Sequence, residues 1–433
     1  VKRVPEAIGK VNNSEKYDCA VIGGGPAGMM AAGQAALRGA RVVLFEKNSA
    51  LGRKLGITGK GRCNVTNNTT VSEIIKNING QKNFMYSALN AFSPQDTIDF
   101  FEKRGIRLKT ERASRVFPES DKASDIVNAM RGFVKDSGVK IIHQRVAELI
   151  TENGEITGVV ADGGRFPVKA AVIATGGLSY PATGSTGDGY EFACRLGHRI
   201  ISPRPSLVPL VSSDRLCAEC EGLTLKNVAI KLFEDGNAIF EDFGEMLFTR
   251  YGVSGPIILS ASAHVRNQGK CNYALEIDLK PALSREVLEK RLIRDFEQIK
   301  NKQFKNSLDR LLPSSLREPI IRKSGISPDK QVNSITREER RGLIELLKRL
   351  VLSDIRLGAF EEAVITAGGV DTSEINPKTM CSKIVKGLFF AGEVIDVDGY
   401  TGGYNLQIAF STGYAAGIYA AAYARSYNKP AEV

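Results

Sequence analysis

Apolar and polar positions follow two rhythms along this chain, and the change between them marks its organisation. Residues 17–22, YDCAVI, form a short β-type run that ends in the glycines of VIGGGPAGMMAA. AGMMAAGQAALRG then reads as a helix of good helix formers stopped at Gly39, and ARVVLFE at 40–46 as a buried strand. Together they make a βαβ unit of about 30 residues. A polar, glycine-rich loop at 48–70, helical stretches near 82–104 and a helix at 125–138 follow. Strand-like segments run from VKIIHQRVAELI through GEITGVVAD to GRFPVKAAVIATGG, the last ending in a very apolar strand at 170–174. A helix is predicted over about 188–197.

Near Pro203, Pro205 and Pro209 the rhythm changes. LTLKNVAIKLFEDGNAIFEDFGEMLFT patterns as a hairpin with Asp235-Gly236 at its turn, and NYALEIDLKP as another strand. From 283 to 350 the period becomes helical. Leu288, Leu292, Phe296 and Ile299 share one face, and Leu308, Leu312, Leu316 and Ile320 another. At about 360 the first rhythm returns with EEAVITAGGV, GLFFAGEV and a closing helix. The expected division is a polar tail at 1–16, a first domain at 17–203 and 362–433, and an insert between them. The insert comprises a β domain at 204–282, a helical subdomain at 283–350 and a return to the β domain at 351–361.

Composition narrows the class. The chain has 433 residues, 42% hydrophobic and 25% charged, which suits a globular protein of two or three domains. No apolar run of about 18 residues predicts a membrane span, and VKRVPEAIGKVNNSEK lacks the apolar centre of a signal peptide, so a cytoplasmic protein is expected. Seven scattered cysteines argue against a disulfide framework. Cys217 and Cys220, in CAEC, read as unlinked thiols on a loop. With only three histidines, none of them near this pair in sequence, no metal site is expected. The net charge is +11, and 285–349 holds 17 Lys and Arg against 10 Asp and Glu, a net of +7. The two signs interleave there, as on a solvated helix face, which argues against nucleic acid as the partner.

The chemistry starts at G-x-G-x-x-G. Gly23 permits the tight turn, Gly25 the close approach of a diphosphate, and Gly28 the packing of helix on strand. The helix that opens at Pro26 and Ala27 offers free N–H groups and a positive dipole end to phosphates. Glu46, 18 residues after Gly28, is placed to accept hydrogen bonds from both ribose hydroxyls, with Lys47 beside it. The motif follows a strand and opens a helix, so it reads as dinucleotide binding.

Three later features favour FAD over NAD as the resident dinucleotide. AAVIATGG ends a strand in the small-residue turn Ala174, Thr175 and Gly176. GLFFAGEVIDV is a strand ending in Gly392-Glu393, with Asp396 close behind. The closing helix begins near Gly402-Gly403, followed by Asn405 and Leu406. A helix N-terminus there would stabilise the negative charge that a reduced isoalloxazine gains at its N1–C2=O edge. Glycines at 399, 402 and 403 would let the backbone come close to the ring. The loop LGRKLGITGKGRCNVTN adds Arg53, Lys54 and Arg62 as candidates to offset the diphosphate charge. Gly59 and Gly61 are placed to lie against the flavin, with Asn64 as a further contact and Cys63 as a packing residue. Val146 completes the candidate cofactor contacts. SYPATGSTGDGYEFA is a third glycine cluster, and His198 reads as a helix-end residue. GEMLFTRYGVSGPIIL is either a wall facing the flavin or a turn that packs two strands.

With these residues on the page, the chain resembles the bacterial flavoproteins that include the bile-acid-inducible reductase BaiN and aminoacetone oxidase. The resemblance runs along nearly the whole chain. It rests on VIGGGPAGMMAA, LGRKLGITGKGRCNVTN, ATGGLSYPATGSTGDGY, GEMLFTRYGVSGPIILSAS, TAGGV and AGEVIDVDGYTGGYNLQIAFSTG. One departure is Lys60, where the family usually has a glycine. The resemblance implies an α/β fold. A Rossmann-like FAD-binding domain of the glutathione-reductase-like flavoprotein type is interrupted by a β-barrel-like insert that carries helices. It also implies non-covalent FAD, and leaves the substrate open.

Three functions compete. The first is NADH- or NADPH-fed reduction of an activated C=C bond, such as the enone of a 3-oxo steroid, with Tyr180, Arg250, Tyr251 and Tyr400 as candidate proton donors. The second is a flavin oxidase of a small amine or α-amino ketone that releases hydrogen peroxide. The third, of another class, is a flavin-containing protein whose basic helices bind RNA or an anionic partner. A monomer or homodimer acting on a small molecule, without membrane insertion, is expected. No second G-x-G-x-x-G for a nicotinamide is evident, so NAD(P)H would have to reach the flavin through an open cleft.

Overall fold

A computed structural model describes residues 16–426. The polar segment expected at the start lies, apart from Lys16, outside the described residues, as do 427–433 of the last expected segment. The chain forms two compact units. One takes the residues up to Pro205 and those from Val364 onward, and the other takes Ser206–Ala363.

The first unit opens with β1 (Cys19–Ile22), α1 (Pro26–Leu37) and β2 (Val42–Phe45). Proline at the first turn of α1 costs nothing, because that N–H has no partner inside the helix. Gly39, at φ +81°, ends the helix in the left-handed conformation that a side chain resists. The segment α2 (Arg53–Gly61) is broken inside. Thr58 is extended, and Gly59 and Lys60 are left-handed. Lys60 therefore holds, at φ +58°, a conformation that glycine adopts without strain. The helical stretch expected near 82–104 is two helices, Tyr86–Ala91 and Pro94–Glu102. Ser93 separates them and caps the second in a capping box with Asp96.

A small antiparallel sheet follows from β3 (Thr66–Asn67), β4 (Leu108–Glu111) and β5 (Arg115–Pro118), with β5 in the middle. The amphipathic α3 (Ala123–Asp136) packs on α1, where a Cβ on Gly33 would lie 2.3 Å from the Phe133 ring. Next come β6 (Lys140–Ile142) and β7 (Ala170–Ile173).

In the second unit, β8 (Leu210–Val211), β9 (Thr224–Glu234), β10 (Asn237–Thr249), β11 (Gly252–Ser254) and β12 (Tyr273–Asp278) precede three helices. These are α4 (Arg285–Gln298), α5 (Ser314–Ser324) and α6 (Arg337–Lys348), and β13 (Leu350–Leu352) and β14 (Arg356–Leu357) close the unit. The sheet order is β13-β12-β9-β10-β11-β8-β14, and every pairing is antiparallel. Its two edge strands are separated by residues 353–355 alone. The sheet must therefore curl until its edges approach, which is the barrel-like closure. Asp235 and Gly236, at φ +46° and +83°, make the turn of the long hairpin.

Leu288, Leu292 and Phe296 share the buried face of α4, but Ile299 falls past its end. Leu308 and Leu312 are buried outside any α-helix, because Pro313 takes an extended conformation and starts α5 only at Ser314. Cys217 and Cys220 also differ from the expected loop. Cys217 lies on the short helix Arg215–Glu219 and Cys220 directly follows it, and both are buried.

The chain returns to the first unit with β15 (Ile365–Val370), β16 (Leu388–Phe390) and α7 (Tyr404–Ser426). Its central sheet has the order β16-β7-β1-β2-β6, all parallel. CAVI, VVLF, AAVI and LFF are buried at every position, as parallel strands covered on both faces require.

Candidate functional site

At the C-terminal end of β1, each glycine of the motif does different work. A Cβ on Gly23 would sit 2.4 Å from Ala174 O, and one on Gly28 only 1.8 Å from Gly23 O. Those two glycines are fixed by packing. A Cβ on Gly25 would meet nothing within 4 Å. Gly25 is itself the N-cap of α1, whose N-terminal N–H groups have no side-chain cap. That is the arrangement a diphosphate needs. The open cradle and its free donors fit a dinucleotide.

Glu46 is buried at the end of β2. Its Oε2 accepts from Gly24 N at 2.8 Å, and its Oε1 from Asn48 N and Nδ2 at 2.8 and 2.6 Å. A carboxylate has about four acceptor sites and three are filled, so capacity for one ribose hydroxyl remains. Lys47 reaches Thr186 Oγ1 and Asp188 Oδ2 at 2.5 and 2.9 Å. Burial opposes ionisation of Asp188, but Lys47 and Arg145 outweigh it and hold its carboxyl below the usual range.

The last helix meets the first. Backbone at Ala27 and Ala31 touches Gly413 and Gly417, where Cβ atoms would lie 2.4 and 2.3 Å from the two carbonyl oxygens. Both contacts advance by four residues in the same direction, so α1 and α7 run parallel and close together. Gly392 packs on Ala27 as well. Upstream of α7, Gly402 and Gly403 have φ +131° and +98°, and a Cβ on Gly403 would strike the Thr66 backbone. Asn405 braces the turn by accepting from Gly399 N and donating to Gly399 O, both at 2.7 Å. Leu406 packs partly buried against the core.

Residues far apart in sequence form a polar knot. Lys54 Nζ is 2.6 Å from both Glu393 Oε2 and Ser179 Oγ. Ser179 Oγ donates to Glu393 Oε1, which also accepts from Thr366 N. Tyr180, left-handed at φ +53°, holds its ring 6.0 Å from Lys54 Nζ. Burial, with Glu393 and Asp396 nearby, pushes the Tyr190 phenol far up, so it stays protonated. Asp396 N donates to Val370 O, and Tyr400 N to Asn77 O.

The remaining candidates are placed as follows. Arg53 binds Asn48 Oδ1, while Arg62 is taken up by Glu111 and Asp121 and stacks over Phe117. Arg62 is thus committed to the β-hairpin. Asn64 Oδ1 accepts from Val116 N. Cys63 is buried, and desolvation pushes its thiol up to about 12, as suits a packing residue. Gly59 is confined by Asn64, and Gly61 is open. Val146 and Ala174 are buried, and the Thr175 hydroxyl sits where a Cβ on Gly189 would be. Gly176 is left-handed at φ +76°. Arg250 and Tyr251 form the exposed turn between β10 and β11 in the second unit.

Sequence reasoning missed two features. Ser179 and Thr366, the other members of the knot, give no local signal. Gln407, buried in α7, accepts from Thr66 and Thr97 hydroxyls and donates to Phe92 O and Ser411 Oγ. It reads as one more polar residue in a helix.

Comparison with known proteins places the chain in a family. Residues 17–419 match the family described as HI0933-like protein Rossmann domain. The chain belongs to this family. It is an FAD-dependent oxidoreductase. The 3-dehydro-bile acid delta(4,6)-reductase of Clostridium scindens is 30% identical over 93% of this chain and 98% of that protein. The ribosomal RNA dihydrouridine synthase of Haemophilus influenzae is 32% identical over 92% and 97%. Among solved structures, 3-ketosteroid delta1-dehydrogenase from Sterolibacterium denitrificans covers 94% of this chain and all of its own, with TM-score 0.52 and 12% identity, a likeness of fold. Among the described residues no helix is long and apolar enough to cross a membrane, and no cluster of His, Cys, Asp and Glu suits a metal.

Proposed function

We propose that this protein reduces a C=C bond conjugated to a carbonyl group, using FAD replenished by NADH or NADPH. One observation carries the reading. The N-termini of α1 and α7 face the same way, and α7 begins nine residues ahead of the point where Gly413 meets Ala27. At 1.5 Å per residue, the start of α7 then stands about 14 Å beyond Ala27, and so about 10 Å beyond the Gly25 cradle. An extended dinucleotide bridges that offset, with its diphosphate at Gly25 and its ring at Gly403.

In this reading the open side of Gly25 and the first turn of α1 hold the diphosphate, and Glu46 the ribose. Lys54 and Glu393 lie along the stretch between the two turns. The N-terminus of α7 faces the ring edge where negative charge accumulates on reduction. FAD, when bound, supplies the hydride. The residues supply position and a proton, for which Tyr180 and Tyr400 are the candidate donors in this unit.

The relatives' names share one chemistry. A delta(4,6)-reductase of a 3-oxo bile acid and a dihydrouridine synthase each add two hydrogens across a C=C bond polarised by a conjugated carbonyl. The test is anaerobic. NADPH, then NADH, is added to the flavoprotein and the visible flavin band followed, after which a 3-oxo-Δ4 steroid or uridine in RNA is supplied. Bleaching by the nicotinamide and recovery with the enone support the reading. Recovery only with oxygen, accompanied by hydrogen peroxide, would replace it with an oxidase.

A further inference from the structure

The β4–β5 hairpin reverses its direction through Arg112, Ala113 and Ser114, between the paired residues Glu111 and Arg115. Ala113 and Ser114 are consecutive non-glycine residues in the left-handed region, at φ +59° and +57°. L-residues resist that conformation, so something must hold it. Asn67 Nδ2 donates to Ala113 O at 2.9 Å, and Asn68 N to Ser114 O at 2.7 Å. The same Asn67 Nδ2 lies 3.1 Å from Gly402 O. A single amide thus ties the strained hairpin tip to the turn that opens α7.

Arg62 and Lys109 are neutralised by Glu111, the residue paired with Arg115 across the hairpin, and by Asp121. At its tip, Arg112 and Arg115 have no carboxylate partner among the described residues. Arg112 is exposed. Arg115 is half-buried, with its guanidinium 5.7 Å from the Phe117 ring and its Nε donating to Arg112 O at 3.1 Å. Two unneutralised guanidinium groups are therefore carried on a strained loop beside Gly402.

We propose that Arg112 and Arg115 form an oxyanion clamp that positions the substrate over the ring end of the site. The substrate class this names is an enone that also carries a carboxylate or a phosphodiester. A guanidinium fork recognises either oxyanion through paired hydrogen bonds. The inference rests on the reading that the Gly402–Gly403 turn receives the reacting ring. It adds which groups, outside the cofactor cradle, select the substrate.

The test uses the full-length FAD-loaded protein and the variants Arg112→Ala, Arg115→Ala and Arg115→Lys. An acidic 3-oxo-Δ4 steroid is compared with its neutral methyl ester, and a uridine-containing RNA oligonucleotide with free uridine. Binding is measured by equilibrium dialysis against the oxidised protein and turnover by steady-state kinetics. The clamp requires the alanine variants to weaken binding of the charged member of at least one pair about 10- to 100-fold. KM rises, kcat stays within about twofold, and the neutral member is unaffected; lysine restores part of the loss. If loss occurs with the RNA and shrinks as salt is raised, the oxyanion is a phosphate. If it occurs only with the acidic steroid, the oxyanion is a carboxylate. Equal loss for charged and neutral members, no loss, or no binding of either charged compound by the unaltered protein overturns the clamp. Selective binding with no reduction of any enone keeps the clamp and rejects the reaction.

Discussion

Lys54 Nζ and Glu393 Oε2 stand 2.6 Å apart although 339 positions separate them in sequence. The pair fastens the segment after β2 to the segment after β16, with side chains 20% and 13% exposed. At that depth the attraction is neither screened away, as at a surface, nor isolated from water. Substituting Lys54→Met leaves Glu393 with only Ser179 and the Thr366 amide as donors. The expected cost is about 1–3 kcal/mol of stability. The double variant K54M/E393Q should recover part of it, because the uncompensated charge is gone. Urea unfolding of the four proteins in the cycle checks this. Strict additivity would mean that the two groups do not interact.

The cysteines sort by burial. Desolvation pushes the Cys63 and Cys217 thiols up to about 12 and Cys220 to about 11. At pH 8 a thiol titrating near 12 is about one part in ten thousand thiolate, and the thiolate is the reactive form. Brief alkylation of the native protein should therefore label exposed Cys194 and spare these three, as read by peptide mass spectrometry. Early labelling of Cys217 and Cys220 would instead point to a redox role for CAEC.

His198 makes stability depend on pH. Its Nε2 lies 2.8 Å from Ser382 Oγ, its Nδ1 is buried without a partner, and burial lowers its pKa against the milder pull of Glu374. Below about pH 6.5 the unfolded chain takes up a proton that the folded chain refuses. The contribution is therefore fully present above that pH and fades as pH falls toward the depressed native value. The slope is at most about 1.4 kcal/mol per pH unit. His198→Gln should flatten the fall in thermal midpoint between pH 6.5 and 5. An unchanged profile would mean that His198 titrates alike in both states.

Much of the first unit is legible because its signals are local. A glycine turn between two apolar runs and Glu46 after the second strand each act within a few residues. The small-residue spacing of Gly413 and Gly417 is visible too, but its partner, α1, lies almost 400 residues away. The knot of Lys54, Ser179, Thr366 and Glu393 is not legible. Serine and threonine are common on surfaces, and only the folded sheet brings these four together. Leu308 and Leu312 continue a helical period that Pro313 interrupts, so periodicity alone misplaces them. Lys60 departs from the family pattern, and its left-handed backbone, at φ +58°, shows the strain that replacing glycine entails.

Gly25 and Gly28 separate cofactor binding from folding by the same substitution. Gly25 has φ −77° and ψ −177°, which any L-residue adopts, and a Cβ there meets no protein atom within 4 Å. Gly25→Ala should leave stability of the flavin-free protein within about 0.5 kcal/mol. The added methyl would stand where the diphosphate must approach the backbone, so FAD affinity should fall roughly tenfold or more, about 1.4 kcal/mol. Gly28 is the reverse. Its Cβ would lie 1.8 Å from Gly23 O, so α1 must move off β1, at a cost of about 1–3 kcal/mol or more. Thermal melts of the flavin-free proteins and equilibrium dialysis with FAD distinguish the two. If Gly25→Ala binds FAD as tightly as the unaltered protein, the diphosphate does not lie against Gly25, and the placement of the cofactor along α1 and α7 falls with it.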